Sequence, residues 1–230
     1  MIKKAVILAG GLGKRLRPLT QNIPKPLLPL GESTILESII NYLVSYSIKE
    51  IYIACGYKHN VFKDFFKEKK FPGVKIKISI EKKRLGTVGP ISLIKNDLQK
   101  PFLLINGDIL TDLNIDEFNK FTLTKKAILG ITTKKITVPF DFGVIKTKDN
   151  YVKTIQEKPK LKFDILTGVY ILKPNIFKYI PNNQYMDIDE LIKVLISNNE
   201  KISQFTLRGY WADIGRIGSY TNASKKYKKK

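Results

Sequence analysis

A strand-like segment at residues 2–8 leads into a loop that has three glycines in four positions, residues 10–13. The apolar run within it, at residues 5–9, predicts one buried strand. Because glycine has no Cβ, the loop lets backbone N–H groups approach an anion closely. The cations that follow are Lys14, Arg15, Arg17 and Lys25. The sequence therefore predicts a strand that ends in an anion-binding loop with the positive charge that a triphosphate requires.

Two better-known glycine loops do not fit these residues. The Walker A pattern requires a glycine five residues before Gly13 and a Ser or Thr after the lysine, but these positions hold Leu8 and Arg15. A dinucleotide-binding fingerprint that began at Gly11 would need its third glycine at Leu16. Both patterns are therefore excluded, and the loop is of another kind.

Strand-like and helix-like segments alternate over the first 110 residues, which is typical of a parallel sheet covered by helices. The predicted strands are residues 2–8, 51–54, 74–80 and 102–105, and the predicted helices are residues 34–46, 61–66 and 88–98. Thr34 and Glu37 have the spacing of a capping box at the start of the first helix. In open sheets of this kind, ligands bind at the carboxyl ends of the strands.

The second half of the chain mixes shorter strands with helices. The predicted strands are residues 127–132, 143–147, 152–157, 165–172 and 202–207, and the predicted helices lie near residues 115–121, 174–180 and 188–198. These segments are expected to extend the sheet and to fold over its carboxyl edge, in one domain of 230 residues.

Composition excludes several classes of protein. The net charge is +21, but the lysines are scattered through every segment, so no nucleic-acid-binding face is expected. Cys55 is the single cysteine, which excludes a disulfide framework and a cysteine-built metal site. The N-terminal apolar run is too short for a signal sequence or a membrane span, so a cytoplasmic protein without a membrane partner is expected.

The glycine loop and the segment after it match a known signature. The residues A-G-G-L-G-K-R-L-R-P-L-T at 9–20 and I-P-K-P at 23–26 closely resemble G-G-x-G-[TS]-R-L-x-P-L-T-x-x-x-P-K-P of the sugar-1-phosphate nucleotidyltransferases, the enzymes that make nucleotide sugars. Lys14 departs from the pattern, since the family has Thr or Ser there. The resemblance extends over residues 2–220.

This resemblance implies an α/β fold. The expected architecture is a single-domain, Rossmann-like (GT-A-like), mostly parallel central sheet flanked by helices, with a smaller sugar-binding β/α portion in the C-terminal half. The catalytic domain is expected to cover residues 1–222. Residues 223–230 are expected to form a basic, disordered tail.

Two acidic residues are candidates for a Mg²⁺ site. Asp108 directly follows the fourth predicted strand, so its carboxylate is expected at the carboxyl end of the sheet. Asp213 lies in Y-W-A-D-I-G, which resembles the family segment [FY]-W-x-D-[VI]-G. Mg²⁺ takes few carboxylates and completes its octahedron with phosphate oxygens and water, so two acids suffice. The alternative is that both residues only cap turns.

The segment that contains Arg84, Leu85, Gly86 and Thr87 resembles the family motif L-G-T-[AV]-G, which closes over the nucleobase. The resemblance implies that Leu85 and Gly86 pack against the base. Arg84 stands where family members that use a pyrimidine often have a glutamine. Since an arginine donates well to O6 and N7 of guanine, Arg84 favours GTP, while UTP and dTTP remain alternatives. Arg84 could equally be an exposed cation at the end of a strand.

Three further segments resemble the family's sugar pocket. Glu157 and Lys158 belong to an E-K-P motif, whose lysine contacts the sugar phosphate and whose glutamate contacts sugar hydroxyls in the family. Gly143 lies in the motif [YF]-G-V, and Thr167 and Gly168 lie in a segment similar to [N]-[AT]-G-[IV]-Y. The latter has leucine at position 166, where asparagine is common, which removes an expected hydrogen bond to the sugar.

The predicted activity is transfer of a nucleotidyl group from an NTP to a sugar 1-phosphate, with release of pyrophosphate. The expected catalytic residues are Arg15, Lys25 and Asp108, and Asp108 and Asp213 are the expected Mg²⁺ ligands. The expected nucleotide-binding residues are Leu8, Ala9, Gly10, Gly11, Gly13, Arg84, Leu85, Gly86 and Thr87. Two alternatives remain: a GT-A-type glycosyltransferase that uses a nucleotide sugar, and a non-catalytic regulatory or binding subunit of the same fold. The oligomeric state is open, and a homo-oligomer is compatible with the sequence.

Overall fold

A β-sheet lies at the centre of the molecule. In the computed structural model, which describes residues 1–227, the strands are β1 (Lys4–Leu8), β2 (Pro29–Leu30), β3 (Ser33–Thr34), β4 (Glu50–Cys55), β5 (Lys75–Ile80), β6 (Phe102–Asn106), β7 (Ile109–Thr111), β8 (Leu129–Pro139), β9 (Val144–Lys148), β10 (Tyr151–Gln156), β11 (Lys160–Leu172), β12 (Ile202–Thr206) and β13 (Trp211–Asp213). The α-helices are α1 (Ile35–Ser45), α2 (His59–Glu68), α3 (Ile115–Thr124), α4 (Ile188–Ser197) and α5 (Ile217–Tyr227). Within these residues, none of the helices has the length and apolar character that crossing a bilayer requires.

Seven strands form the central sheet, in the order β12-β8-β11-β6-β1-β4-β5. All neighbours run parallel except β11, which pairs antiparallel with both β6 and β8. The carboxyl ends of β1, β4, β5 and β6 therefore meet at one edge of the sheet. This arrangement confirms the predicted mostly parallel sheet flanked by helices. Three small two-stranded sheets, β2–β3, β7–β13 and β9–β10, are attached to it.

Strand β1 is apolar from Ala5 to Leu8 because both faces of the sheet are covered there. Ala5 and Ile7 belong to the core cluster that also contains residues of α1 and α2. Val6, between them, belongs to the cluster on the other face, which contains residues of α4. All three side chains are fully buried. The strand that leads into the glycine loop is therefore held rigidly from both sides.

Helix α1 begins with the predicted capping box. The Oγ1 of Thr34 accepts a hydrogen bond from the backbone N–H of Glu37 at 3.1 Å, and the Glu37 carboxylate accepts one from the backbone N–H of Thr34 at 2.7 Å. These two bonds satisfy donors that the first turn of a helix leaves unpaired. The prediction of a helix near residues 34–46 is confirmed within one residue at each end.

The predicted helix at residues 88–98 is wrong. Only residues Gly89–Ile94 are helical, and they form a 3₁₀ helix. Its backbone hydrogen bonds span three residues rather than four, as in the bond from the N–H of Ile91 to the carbonyl of Val88 at 3.2 Å. The N–H groups of Val88 and Gly89 donate to the carbonyl of Met186, at 3.0 and 3.2 Å, which fixes the start of the segment against residue 186. Pro90, the second residue of the segment, has no backbone donor. The segment predicted near residues 174–180 is also a short 3₁₀ helix, Pro174–Lys178.

Strands β8 and β11 are much longer than predicted. Their outer parts pair only with each other, from Lys134 to Pro139 and from Lys160 to Ile165, and leave the central sheet. Together with the β9–β10 hairpin they form a projection, residues 134–165, which we call the distal arm. Its side chains are largely exposed, and Phe142 and Ile155 are each 71% exposed. Alternation of apolar and polar residues marks a strand where one of its faces is buried. The core buries only the inner halves of β8 and β11, so the pattern does not predict how far the two strands extend beyond it.

The C-terminal helix α5 continues to Tyr227, so residues 223–227 are helical where the sequence predicts a disordered tail. Ala223 is buried in the core. The Nζ of Lys226 lies 3.4 Å from the ring centroid of Tyr210. These contacts stabilise a helix that the basic composition alone does not predict. The remaining residues of the predicted tail, 228–230, lie outside the described residues.

A charge cluster at the amino ends of three adjacent strands yields a stability prediction. Glu50 lies 3.0 Å from the Nζ of Lys4 and 2.5 Å from the Nζ of Lys77, and it accepts a hydrogen bond from the Tyr52 hydroxyl. Partial burial raises the pKa of Glu50, but the hydrogen bonds from Lys77 and Lys4 outweigh it and hold the pKa at about 2. Because the pKa of Glu50 is lower in the folded protein, its ionised carboxylate stabilises the fold at pH values above the ordinary pKa of glutamate. This stabilisation is lost in acid.

We therefore expect Glu50→Gln to lower the free energy of unfolding at pH 7 by about 1 kcal/mol, because these ion pairs are partly open to solvent. The difference from wild type should shrink as the pH falls from about 5 to about 2. Urea unfolding of both proteins at several pH values measures this difference in the free energy of unfolding. Glu68→Gln, on the exposed face of α2, is the matched control. A Glu50→Gln deficit that stayed constant down to pH 2 would contradict this assignment.

Candidate active site

The glycine-rich loop leaves the carboxyl end of β1 and turns back on itself. Its entry is held by the N–H of Ala9, which donates to the carbonyl of Ala54 at 2.7 Å. Gly13 has a φ of +62°, in the region that favours glycine, and its carbonyl accepts a hydrogen bond from the Thr20 hydroxyl at 2.7 Å. A Cβ at Gly11 would meet no atom within 4 Å. The loop thus presents bare backbone to open space above the end of β1.

Six Lys and Arg side chains line the same cavity as this loop, and three of them come from the segment that follows it. Lys14 and Arg15 belong to a 3₁₀ turn directly after the loop, and Lys25 begins a second one. Each turn is anchored by a buried leucine, Leu16 or Leu27. The cavity has a volume of about 850 Å³ and includes the three glycines of the loop. The structure therefore brings Arg15 and Lys25 together with the glycine loop in one concave, positively charged site.

The two predicted metal ligands are joined through the β7–β13 ribbon. Asp108 immediately precedes β7, and Asp213 is the last residue of β13, where it pairs with Ile109. The backbone N–H of Ile214 donates to the carbonyl of Asp108 at 2.9 Å. Residues 108 and 213 are thus direct neighbours although 105 positions separate them in the chain (213 − 108 = 105). The ribbon delivers both carboxylates to the edge of the sheet where the glycine loop lies.

Lys25 forms an ion pair with Asp108. Its Nζ contacts the Oδ2 of Asp108, and each side chain is 15% exposed. A backbone contact brings these two segments together: the N–H of Gly107 donates to the carbonyl of Leu8 at 2.8 Å. A Cβ at Gly107 would lie 2.6 Å from that carbonyl oxygen and 3.2 Å from Pro26. Glycine at position 107 therefore allows the β6 end to approach β1 and the Lys25 turn.

The carboxyl group of Asp213 is only partly compensated by its surroundings. Its Oδ1 is buried and has no hydrogen-bond partner among residues 1–227. Burial is the first reason that the pKa of Asp213 is raised, and the nearby charge of Asp108 is the second. The cations Lys25, Arg15 and Arg216 oppose this shift only in part. A buried carboxylate oxygen without a donor, beside a second carboxylate, is an arrangement that a cation would stabilise.

The donor set suits a hard divalent cation that is shared with a substrate. Within residues 1–227, no three His, Cys, Asp or Glu side chains form a group that could hold a metal. Two carboxylates, Asp108 and Asp213, are few for a structural metal site. They are sufficient for Mg²⁺, which usually takes one or two carboxylates and completes its shell with phosphate oxygens and water. The residues present therefore fit this ion.

A second, smaller cavity of about 210 Å³ adjoins the first. The two cavities share five lining residues, which are Gly10, Gly11, Lys25, Glu81 and Arg84. The smaller cavity also includes Leu8, Ala9, Gly86, Thr87 and Asp108. The two cavities thus form one cleft across the carboxyl ends of β1, β4, β5 and β6. Of the nine predicted nucleotide-binding residues, eight line this cleft, and Leu85 does not.

The segment that contains Leu85 is held by the start of α4. Leu85 itself is fully buried, and its carbonyl accepts a hydrogen bond from the N–H of Met186 at 3.0 Å. The N–H of Thr87 donates to the Oδ1 of Asp187 at 2.9 Å, and the Thr87 hydroxyl accepts a bond from the N–H of Ile188 at 2.7 Å. The side chain of Leu85 therefore belongs to the core, and only the backbone around it and its neighbours face the cleft.

Gly86 is required by both its conformation and its surroundings. Its φ is +79°, and a Cβ there would lie 2.5 Å from the carbonyl oxygen of Met186. Gly73 has nearly the same φ, +78°, but a Cβ there would meet no atom within 4 Å. Gly73 is thus a matched control that separates the cost of the left-handed conformation from the cost of the contact.

We expect Gly73→Ala to lower the free energy of unfolding by about 1–2 kcal/mol through the backbone conformation alone. Gly86→Ala should cost about 2–4 kcal/mol, because the segment must also move away from α4. Urea unfolding of both variants provides the comparison. Equal losses for the two substitutions would mean that the approach to Met186 is not restrictive.

The predicted sugar-phosphate residues fall into two groups. Gly143, Glu157 and Lys158 lie on the distal arm, are exposed and do not line the cleft. A Cβ at Gly143 would lie 3.0 Å from the Oε2 of Glu157, so these two residues adjoin each other. Lys158 has a φ of +44° in the loop before β11. The structure therefore gathers these three residues on the arm, apart from the cations of the cleft.

Thr167 and Gly168 lie on β11, beside the acidic residues. The Thr167 hydroxyl is fully buried and bonds to Thr132, so it does not face the cleft. The carbonyl of Thr167 accepts a hydrogen bond from the indole N–H of Trp211 at 2.8 Å. A Cβ at Gly168 would lie 2.7 Å from the Nδ2 of Asn106, at the end of β6. The backbone of Thr167 and Gly168 therefore lies near the acidic residues, whereas the Thr167 hydroxyl points into the core.

Sequence reasoning missed several charged residues of the cleft, which are Glu81, Lys82, Lys83 and Asp187, and Glu81 is the one that lines both cavities. Glu81 lines both cavities, and it directly follows β5 just as residue 107 follows β6. The position of Glu81 after a predicted strand was a signal for a site residue, because side chains that follow parallel strands meet at the carboxyl edge of the sheet. Residues 82–84 are all cationic, however, so the segment resembles an exposed charged turn.

Comparisons with known proteins agree with this geometry. The sequence profile of the family described as nucleotidyl transferase matches residues 4–230. A mannose-1-phosphate guanyltransferase of Debaryomyces hansenii is 32% identical over 234 residues, which cover 97% of this chain and 64% of that protein. A UTP–glucose-1-phosphate uridylyltransferase of Synechocystis sp. is 31% identical over 242 residues, which cover 96% of this chain and 62% of that protein.

A solved structure extends the likeness to three dimensions. The crystal structure of HddC from Yersinia pseudotuberculosis in complex with GMP-PN has a TM-score of 0.78 and 25% sequence identity, and the match covers 98% of this chain and all of that one. The chain spans less than two thirds of the length of the two curated relatives above.

Proposed function

Because the chain belongs to the nucleotidyl transferase family, we propose that it transfers a nucleoside monophosphate from an NTP to a sugar 1-phosphate. An oxygen of the sugar phosphate attacks the α-phosphorus, the bond from that phosphorus to the bridging oxygen breaks, and pyrophosphate leaves with the bonding electrons. The observation that carries this proposal is the cleft in which the glycine loop, Arg15 and Lys25 lie beside Asp108 and Asp213.

Electrostatics set the roles of the residues, because both substrates are anions and the barrier lies in bringing them together. The backbone of residues 10–13 and Arg15 would hold the β and γ phosphates. Lys25 would stabilise charge on the α-phosphoryl group in the transition state. Asp108 and Asp213 would hold Mg²⁺, which neutralises phosphate charge when bound.

The ion pair between Lys25 and Asp108 compensates two charges that lie in the cleft. Asp108 is the anionic partner of the Lys25 ammonium in this structure. A bound triphosphate would offer that ammonium a new partner, while a divalent cation would take over the neutralisation of Asp108. The ion pair thus holds both side chains at the positions where the proposal places the reacting groups.

The contact of Lys158 with the sugar phosphate is a proposal that rests on the motif alone. Because Lys158 and Glu157 lie on the distal arm, a sugar 1-phosphate must bridge the arm and the cleft, or the arm must close toward Asp108. The position of Gly168 beside the end of β6 supports the first arrangement, since it places the inner part of β11 next to the acidic pair.

We favour GTP as the nucleotide, with UTP and dTTP as alternatives. Arg84 lines the cleft and could donate to O6 and N7 of guanine. The names of the similar proteins include a guanyltransferase and a uridylyltransferase, and the solved neighbour was crystallised with a guanine nucleotide analogue.

A matrix of GTP, UTP, dTTP, CTP and ATP against hexose and heptose 1-phosphates tests the proposal. Pyrophosphate release is measured with Mg²⁺ and again with excess chelator. The proposal predicts release that requires both an NTP and a sugar 1-phosphate and that stops with the chelator. Transfer of sugar from a nucleotide sugar without pyrophosphate release would instead support a glycosyltransferase, and the absence of both reactions would support a binding subunit.

A further inference from the structure

The C-terminal helix α5 connects two parts of the candidate active site. It begins at Ile217, two residues after Gly215. A Cβ at Gly215 would lie 2.9 Å from the Oδ1 of Asp213 and 3.2 Å from a terminal guanidinium nitrogen of Arg15. The chain therefore enters α5 directly beside one of the predicted metal ligands and one of the cations of the cleft.

The first turn of α5 also bonds to the segment that carries Lys25. The Tyr220 hydroxyl donates to the carbonyl of Pro29 at 2.7 Å, although 191 positions separate the two residues in the chain. Pro29 directly follows Leu28, whose N–H closes the 3₁₀ turn of Lys25 by donating to the Lys25 carbonyl at 3.1 Å. Tyr220 is thus attached to the end of the Lys25 turn.

Helix α5 is itself fixed to the body of the protein. Ala223, one turn after Tyr220, is 2% exposed and belongs to the core cluster that contains β1 residues. The Tyr220 side chain packs against the same cluster. Its hydroxyl is therefore a fixed attachment point for Pro29 and not a freely moving surface group.

The Lys25 turn has few hydrogen bonds of its own. Besides the bond of Leu28, the N–H of Leu27 donates to the carbonyl of Pro24 at 2.9 Å. The prolines at positions 24 and 26 supply no backbone donor. The Lys25 ammonium lies at the end of a flexible four-carbon stem, so its position depends on how firmly the turn is held. An electrostatic stabiliser acts best when its charge is placed before the reaction begins.

We propose that Tyr220 is a positioning residue for Lys25. Its hydrogen bond to Pro29 fixes the Lys25 turn relative to Asp213 and Arg15, because the same helix begins beside those two side chains. This inference deepens the proposed nucleotidyl transfer and rests on it. Tyr220 lines neither cavity of the cleft, so it acts on the reaction through the backbone of residues 25–29.

Tyr220→Phe tests the bond because it keeps the ring and removes only the hydroxyl. The kcat for pyrophosphate release should fall about tenfold, since Lys25 is then placed less precisely. The dissociation constant for the NTP should change by less than about twofold, because the groups proposed to hold the β and γ phosphates are unaltered. A folded Tyr220→Phe variant with normal kcat would overturn the inference.

Tyr42→Phe is the matched control, because the Tyr42 hydroxyl also donates to a backbone carbonyl, that of Leu113, at 2.6 Å. Neither Tyr42 nor Leu113 lines the cleft. The Tyr42 bond is partly buried and the Tyr220 bond is exposed, so Tyr42→Phe should lower the Tm more than Tyr220→Phe does. Its kcat should nevertheless equal that of the wild type. Losses of kcat that follow the losses of Tm would show a merely structural role for Tyr220 and overturn the inference.

A double-mutant cycle with Lys25→Met shows whether Tyr220 acts through Lys25. In single-turnover kinetics, Tyr220→Phe should slow the wild type about tenfold and the Lys25→Met variant by less than about twofold, because that variant has no ammonium to place. An equal loss in both backgrounds would mean that Tyr220 acts on another part of the site, and the inference would be wrong.

Amide hydrogen exchange of the protein without substrates makes the test independent of turnover. In Tyr220→Phe the N–H groups of Leu27 and Leu28 should exchange at least about threefold faster than in the wild type, because the turn opens more often. The N–H of Ala9, at the entry of the glycine loop, should exchange as in the wild type. Unchanged exchange at Leu27 and Leu28 would overturn the inference. A lack of pyrophosphate release from every NTP would overturn the proposed function, and the exchange rates would still decide whether Tyr220 holds the Lys25 turn.

Discussion

Lys25→Met is expected to lower kcat for pyrophosphate release by about 10²–10⁴-fold, as removal of a preorganised electrostatic stabiliser does. Methionine keeps most of the apolar stem but removes the ammonium that contacts Asp108. Since the proposed role is to offset charge that develops at the α-phosphorus, the dissociation constant for the NTP should change much less than kcat. Single-turnover kinetics together with equilibrium nucleotide binding separate the two effects.

Lys120→Met, on an exposed position of α3, is the matched control, because it removes one positive charge without touching the cleft. It should retain wild-type turnover, and circular dichroism should show both variants folded. A folded Lys25→Met variant with normal kcat would mean that this lysine neutralises Asp108 and does not stabilise the transition state.

Asp108→Asn is expected to lower kcat by a comparable factor, about 10²–10⁴-fold, because it removes one of the two carboxylates proposed to hold Mg²⁺. The amide keeps the shape of the side chain but loses its charge. The Mg²⁺ concentration for half-maximal rate should rise at least about tenfold. Mg²⁺ should also raise the Tm of the wild type in the presence of nucleotide, and this rise should be much smaller in the variant, which provides a readout that does not depend on turnover.

Asp116→Asn, an exposed carboxylate in the first turn of α3, controls for the general loss of negative charge. Its kcat and Mg²⁺ dependence should equal those of the wild type. If Asp108→Asn kept the wild-type Mg²⁺ dependence and lost only rate, Asp108 would act through Lys25 and not as a metal ligand.

The local elements around the cleft were largely predictable from residue patterns. The capping box of Thr34 and Glu37 identified the start of α1, and the apolar run before the glycine loop identified β1. Both signals are short-range: a cap involves four consecutive residues, and a strand covered on both faces is apolar throughout. The motif at residues 9–26 also contained seven of the sixteen residues that line the larger cavity.

Long-range contacts decided the features that the patterns missed. The segment predicted as a helix at residues 88–98 is a 3₁₀ helix over part of its length, and its first N–H groups are bonded to the carbonyl of Met186, almost a hundred positions away. The same segment of chain buries Leu85, which the motif assigned to the base. Periodicity reports which residues are apolar, but it does not report which partner satisfies a given backbone donor.

In the candidate site, too, some features follow from the residues themselves and others only from the tertiary structure. Glycine spacing, two lysines and an arginine specify an anion-binding loop in any chain that has them, since the chemistry belongs to the residues themselves. The pairing of Asp108 with Asp213, the position of Glu81 beneath Gly10 and the separation of Lys158 from the cleft are properties of the folded chain alone. They depend on β7–β13 pairing, on the order of the parallel strands and on the length of the distal arm, and each of these is set by packing between segments far apart in sequence.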